Sequence, residues 1–240
     1  MENEPILKNP RRKTVAIIPA AGSGIRMGTR QAKQFLDLAD KPILTVTLER
    51  FQGCPCIDAV IPVVPPDDVN YCRNEIIEPY DLTKVTQVVA GGKRRQDSVR
   101  LGLEATHGDF DLVVIHDGVR PLVQETLIER TVAAATESRA VITGLPAKET
   151  VKEVSAEGWV IRTHDRRRIW LVQTPQVFRY EDIHAAHGRA LREDWEEVTD
   201  DALLIERSGI TVKMIEGSEE NIKITTLHDL EWARALLMDS

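Results

Sequence analysis

The sequence predicts an α/β fold: a mostly parallel sheet flanked by helices, with a projecting β-hairpin arm. Three observations carry this. Short continuous apolar runs alternate with helix-length amphipathic segments from residue 15 to residue 145, the pattern of parallel strands buried on both faces and joined by crossover helices. Several of those runs end in glycines or polar clusters, so chemistry is concentrated at the carboxyl edge of the sheet, where open α/β sheets bind ligands. After Pro146 the pattern changes to two amphipathic stretches around Ser155-Ala156-Glu157-Gly158, which reads as a hairpin.

The elements follow in order. Residues 15–19 form a strand, and 42–51 a helix with Pro42 in its first turn, where a missing N–H costs nothing. Residues 59–64 are an apolar strand, 67–77 are helix-like, and 85–89 form a strand ending at Gly91-Gly92. Residues 97–106 are helical, with Val99, Gly102 and Leu103 on one face. A strand over 112–115 ends in His116-Asp117; a helix over 124–138 and a strand over 140–145 follow. Stretches 150–154 and 159–163 make the hairpin. Nothing in sequence covers both its faces, and an isolated ribbon is marginal alone, so packing on a second subunit is expected. Helices close the chain at 180–191, 200–207 and 227–238, the last opened by a capping box of Thr226 and Asp229. Residues 221–225 read as strand-like. The first 13 residues are expected to be a disordered tail, and 14–240 a single domain with the arm inserted at about 146–168.

Composition narrows the function. The 240 residues carry a net charge of −7, which argues against a broad nucleic-acid-binding face. No apolar run approaches the roughly 20 residues of a membrane span, and the N-terminal stretch has no signal-peptide core. The three cysteines, Cys54, Cys56 and Cys72, are odd in number and lack zinc-site spacing, which fits reduced thiols in a cytoplasmic protein. His184 and His187 lie three apart on a helix without a third ligand nearby, and no Gly-x-Ser-x-Gly elbow is present.

The strongest motif is the first loop, Pro19-Ala20-Ala21-Gly22-Ser23-Gly24-Ile25-Arg26-Met27-Gly28, with Lys33-Gln34 beyond it. Small residues let backbone N–H groups approach phosphate oxygens, and Arg26 and Lys33 add positive charge. The loop is not a Walker motif, because no Gly-Lys-Ser/Thr closes it, and its third glycine comes one residue late for a dinucleotide fingerprint. Gly91-Gly92-Lys93-Arg94-Arg95-Gln96-Asp97-Ser98 lies at another strand end. Its glycines permit close approach of a nucleotide, and Ser98 either donates to that ligand or caps the helix. Asp117, followed by Gly118-Val119-Arg120, is either an oxygen ligand suited to Mg²⁺ beside a triphosphate or the cap of a turn. Thr199-Asp200-Asp201 reads as an N-cap with an acidic first turn. Lys223 is a solvated lysine unless an anion lies at its end of the sheet, and Arg166-Arg167-Arg168 reads as a solvated charge run.

In their order along the chain these motifs resemble the 2-C-methyl-D-erythritol 4-phosphate cytidylyltransferase family of the non-mevalonate isoprenoid pathway. The resemblance runs from about Val15 to the C-terminal helix. It rests on the first loop with Lys33-Gln34, Gly91-Gly92 with Asp97-Ser98-Val99, His116-Asp117 with Arg120-Pro121, Glu149-Thr150, Asp165-Arg166, Thr174-Pro175-Gln176, Thr199-Asp200 and Asn221-Ile222-Lys223-Ile224-Thr225. Two departures stand out: Ala32 where the family has proline, and Gly118-Val119 where it has two alanines. Neither removes a charge. Ribitol-5-phosphate cytidylyltransferases share the first loop and supply the alternative acceptor.

The resemblance implies a Rossmann-like nucleotidyltransferase that joins CTP to a sugar-alcohol phosphate with release of pyrophosphate. Arg26, Lys33 and Lys223 would be the catalytic cations. Ala20, Ala21, Gly22, Ser23, Gly24, Gly91, Gly92, Ser98, Asp117 and Gly118 would hold the nucleotide. Asp117, Arg120, Thr150, Arg166, Thr174, Thr199 and Lys223 would hold the acceptor. Mg²⁺ would be bound mainly through the CTP phosphates, near Asp117. The arm would exchange across a homodimer, carrying Thr150 and Arg166 to the partner's site.

Overall fold

The computed structural model describes residues 11–22, 32–196 and 198–238. The core is a seven-stranded sheet in the order β11-β7-β10-β6-β1-β4-β5. These strands are β1 (Thr14–Pro19), β4 (Ala59–Val64), β5 (Val89–Ala90), β6 (Leu112–Ile115), β7 (Ala140–Pro146), β10 (Trp170–Arg179) and β11 (Lys213–Glu216). Two-residue strands β2 (Asp37–Leu38) and β3 (Lys41–Pro42) pair with each other, as do β8 (Lys152–Val154) and β9 (Val160–Thr163) in the arm. Every neighbouring pair in the main sheet is parallel except those of β10, which runs antiparallel to both β6 and β7.

Side-chain alternation along β1 divides the apolar interior. Val15 and Ile17 face Val99 and Leu103 of α3 (Arg95–Ala105), together with residues of α5 (Tyr180–Arg192) and α6 (Asp201–Arg207). Ala16 and Ile18 face Leu44, Leu48 and Phe51 of α1 (Ile43–Gly53) and Leu127 and Ile128 of α4 (Glu125–Glu137). The central strands are fully buried because helices cover both faces. A smaller cluster of Leu38, Ile43, Val119, Leu122, Ile224, Leu230 and Ala233 seats α7 (Leu227–Met238) beside the carboxyl edge.

The predicted elements are found, but the sequence reading named no strand for β10 or for the short β2 and β3, and there are four further differences. The helix-like stretch 67–77 is an irregular succession: a 3₁₀ turn at Pro66–Asp68, a single turn α2 (Val69–Tyr71), a π stretch at Cys72–Ile77 and a 3₁₀ turn at Glu78–Tyr80. The strand expected over 85–89 is reduced to an isolated bridge at Val85 and the two residues of β5. Residues 221–225 are not a strand; Asn221 and Ile224 are buried within an irregular segment. Strand β11 was not anticipated, because Lys213-Met214-Ile215-Glu216 is a half-buried edge with a weak apolar pattern. Of the expected N-terminal tail, residues 1–10 lie outside the described part. Arg11 pairs with Asp58, and the Lys13 backbone N–H donates to Asp111.

Candidate active site

Parallel strands β1, β4, β5 and β6 all end on one edge, and their following loops converge there. The first cavity, about 250 Å³, is lined by the loop after β1 (Ala20, Ala21, Gly22), Lys33 and Gln34, Gly92 to Arg95, Ser98, Asp117 and Lys223. Close backbone approach explains two glycines. A Cβ at Gly91 would lie 2.4 Å from the Ala21 Cβ, and one at Gly118 would lie 2.8 Å from the Ala20 Cβ. Ser98 lines the cavity and is not the helix cap, which is Arg94 with Asp97; its hydroxyl accepts from the Gly92 N–H at 3.1 Å and donates to the Arg94 carbonyl, shaping the turn that lines the cavity. Ser23, Gly24 and Arg26 lie outside the described residues.

A second cavity of about 330 Å³ lies alongside, lined by Arg120, Thr174, Gln176, Thr199, Asp200 and Glu206 among others. Arg95, Asp117 and Lys223 line both cavities. They form one ionic cluster. The Asp117 carboxylate accepts from Arg95 Nε at 3.0 Å on one oxygen and from Lys223 Nζ at 2.8 Å on the other, with Arg120 Nε 3.7 Å away. Burial alone would raise the Asp117 pKa, but Arg95, Lys223 and Arg120 outweigh it and hold the carboxylate well below its usual range. Burial likewise opposes the charge of Arg95, and Asp201 and Asp117 more than restore it.

Each Asp117 oxygen accepts from a cation of the protein itself. Among the described residues, no group of three or more His, Cys, Asp or Glu side chains could hold a metal. A magnesium ion carried on a triphosphate would fit this arrangement, which is its common mode beside phosphates.

Beneath the cluster a neutral hydrogen-bonded chain fixes Asp117 from behind. The Asp117 N–H donates to Thr174 Oγ1 at 3.1 Å, and the Thr174 hydroxyl donates to His116 Nδ1 at 3.2 Å. His116 Nε2–H donates in turn to the Arg120 carbonyl at 3.1 Å. The carbonyl acceptor fixes the tautomer. Buried completely, His116 has its pKa pushed down to about 4 and is neutral. Asn221 ties the two halves together: its side-chain amide donates to the Thr174 carbonyl at 2.7 Å, and Arg120 Nη1 donates to the Asn221 carbonyl at 2.7 Å. The Ile224 N–H donates to the Val119 carbonyl at 2.9 Å, so Lys223 is held between two anchored neighbours.

The structure thus brings together Ala20, Ala21, Gly22, Lys33, Gly91, Gly92, Ser98, Asp117, Gly118, Arg120, Thr174, Thr199 and Lys223. It leaves Thr150 and Arg166 apart, at the root of the arm and outside both cavity linings within one chain. Sequence reasoning missed Arg95, Asp201 and His116. The glycine-rich motif containing Lys93-Arg94-Arg95 was a signal, but nothing local says which of three cations turns inward.

The comparisons agree with this geometry. The family description "IspD: 2-C-methyl-D-erythritol 4-phosphate cytidylyltransferase" matches residues 14–239. The 2-C-methyl-D-erythritol 4-phosphate cytidylyltransferase of Syntrophus aciditrophicus is 48% identical over 94% of this chain and 96% of its own length. That of Syntrophotalea carbinolica is 50% identical over 92% and 94%. Among solved structures, the 4-diphosphocytidyl-2C-methyl-D-erythritol synthase of Anaerococcus prevotii superposes with a TM-score of 0.84 at 35% identity, covering 95% of this chain and 96% of that one. The matched region takes in both cavities and the arm, and the chain belongs to the 2-C-methyl-D-erythritol 4-phosphate cytidylyltransferase family.

Proposed function

We propose that this chain transfers the cytidylyl group of CTP to 2-C-methyl-D-erythritol 4-phosphate, giving 4-diphosphocytidyl-2-C-methyl-D-erythritol and pyrophosphate. The observation that carries the reading is the pair of adjoining cavities with a shared ridge of two cations, Arg95 and Lys223, joined by Asp117. The first cavity, with its glycine turns and Lys33, takes the nucleotide. The second, with Arg120, Thr174 and Thr199, takes the acceptor phosphate. An acceptor phosphate oxygen attacks the α-phosphorus, a new P–O bond forms, and the bond to the bridging oxygen of pyrophosphate breaks. An ionised phosphate monoester is already a competent nucleophile, so no enzymatic base is required. The neutral His116 is accordingly spent on bracing Thr174.

Catalysis is positioning plus charge stabilisation. Lys223, fixed at 2.8 Å from Asp117, stands where the two phosphates must meet and offsets their repulsion. Lys33 stabilises charge on the α-phosphate and the leaving pyrophosphate, with Arg26 as its proposed partner. Mg²⁺, carried in on CTP, supplies further neutralisation of the triphosphate when bound.

The working unit is proposed to be a homodimer in the cytoplasm. Trp159, Val160 and Ile161 of the arm are 76%, 60% and 60% exposed, an apolar surface that needs a partner. Exchange of the arms supplies Thr150 and Arg166 to the neighbouring acceptor cavity. The three cysteines are free thiols, and among the described residues no helix is long and apolar enough to cross a membrane.

The test is pyrophosphate release from CTP and Mg²⁺ with each of two acceptors. Turnover with 2-C-methyl-D-erythritol 4-phosphate, and a loss of roughly 100-fold in kcat in Lys33→Ala, is the expected result. Turnover with D-ribitol 5-phosphate alone overturns the choice of acceptor, and an unimpaired Lys33→Ala enzyme overturns the role of Lys33.

A further inference from the structure

Asp201 lines neither cavity, yet it belongs to the same line of charges. It is fully buried in the first turn of α6. One of its carboxylate oxygens accepts from Arg95 Nη1 at 2.6 Å, and the other from His187 Nε2–H at 3.0 Å. Arg95 uses its Nε edge on Asp117, whose second oxygen holds Lys223. A continuous run of charge-assisted hydrogen bonds therefore passes from His187 through Asp201, Arg95 and Asp117 to the lysine between the cavities. A buried carboxylate is costly in such surroundings and is tolerated only with close partners.

The geometry of Arg95 gives that carboxylate a use. A guanidinium is planar, and a carboxylate facing it prefers to take two of its N–H groups in parallel. Here the two edges of Arg95 are divided between two carboxylates. Asp117 takes only the Nε–H, on one oxygen, and its other oxygen is left for Lys223. Without the charge on Asp201, Arg95 is free to shift until Nε–H and a neighbouring N–H both face Asp117, and so to compete with Lys223 for the second oxygen.

We propose that Asp201 is a positioning residue for the transfer step: by holding one edge of Arg95 it keeps an Asp117 oxygen available to Lys223, and so fixes the ammonium between the two substrates. The inference rests on the assignment of the two cavities to CTP and the acceptor phosphate.

Asp201→Asn removes the charge while keeping the size. Its amide oxygen can still accept from Arg95, and its NH₂ can donate to His187 in the other tautomer. Steady-state kinetics with both substrates varied, and melting temperatures, are measured for wild type, Asp201→Asn, Arg95→Met and the double variant. Asp201→Asn is expected to lower kcat by about tenfold or more, the scale of a slightly misplaced reacting group, with KM for CTP changed by less than about twofold. In the Arg95→Met background the same substitution should change kcat by less than about twofold, because coupled residues fail to add. A wild-type kcat in Asp201→Asn overturns the proposal, as does an equal fold-loss with and without Arg95. If Asp201→Asn does not fold, Arg95→Lys carries the test, since an ammonium cannot divide two edges between two carboxylates; wild-type kcat there overturns it equally. Failure of the underlying reading looks different: the wild-type enzyme itself then shows no acceptor-dependent turnover.

Discussion

Single hydroxyls and rings carry much of the site. The Thr174 hydroxyl both accepts from the Asp117 backbone and donates to His116, so Thr174→Val leaves a buried donor and a buried acceptor unmet. It should cost roughly 1–3 kcal/mol of stability, read by urea unfolding, and should weaken acceptor-dependent turnover because Asp117 loses its brace. A stable variant with wild-type turnover would count against that brace. His116 makes a pH prediction. Its pKa is pushed down to about 4 by burial, from 6.5 in an exposed ring. Between those values the unfolded chain binds a proton that the native ring refuses, so stability rises with pH across the window and is lost as pH falls from 6.5 toward 4. Asp117 and Asp201 act lower. Burial opposes their ionisation but the neighbouring cations win, so their contribution is lost only below the ordinary carboxylate range. His116→Gln should therefore flatten the melting-temperature profile between pH 6.5 and 4. A profile parallel to wild type would show that the loss lies elsewhere.

Among the elements, α3 is the one whose packing and chemistry are hardest to separate. Its N-terminal turn presents Arg95 and Ser98 to the site, while Gly102, two turns on, lies against the sheet. A Cβ at Gly102 would come 2.7 Å from Ile17 Cγ2 and 3.1 Å from Val63 Cγ2. Both are buried strand side chains that cannot swing aside. Gly102→Val should destabilise the fold by roughly 1–3 kcal/mol through overpacking. By lifting α3 from β1 it should also raise the KM for CTP more than that for the acceptor. Equal KM shifts would show that the helix moves without carrying the nucleotide cavity with it. The antiparallel course of β10 has a related consequence. Gln176 pairs with Ile115, so Thr174 lies just beyond the carboxyl end of β6, next to His116 and Asp117. A parallel strand would reach that edge with its other end.

At the scale of the whole molecule, the arm is the element to test. Among the described residues, strands β8 and β9 pair only with each other, and Glu153 gathers Arg162 and His164 by ion pairs. These contacts are exposed and worth little, so the ribbon depends on what covers Trp159, Val160 and Ile161. Light scattering at micromolar concentration should give twice the chain mass. Trp159→Ser with Ile161→Ser should yield monomer and a large loss of acceptor-dependent turnover, with CTP binding by calorimetry retained. A monomeric wild type that turns over at full rate would sink the arm exchange.

The sequence by itself determined the alternation of strands and helices up to residue 146, the carboxyl-edge loops, the arm and the glycine-rich and charged motifs from which the two cavities are built. Those are local properties: apolar runs, glycine turns and a motif order that survive without knowledge of distant contacts. It overstated the strand at 85–89 and made one of 221–225. It passed over β11, because a half-buried edge strand and an extended loop differ only in whether a neighbour supplies the ladder. Partnership among charges was equally invisible. Arg95 and Asp201 are 106 residues apart, and Arg95 reads as one of three adjacent cations until the helix it opens turns it inward. Asp117 read in sequence as either an oxygen ligand or a turn cap; the fold surrounds it with Arg95, Lys223 and Arg120, neighbours that no local pattern discloses. Electrostatic roles of this kind depend on distance and burial, which only the tertiary structure sets.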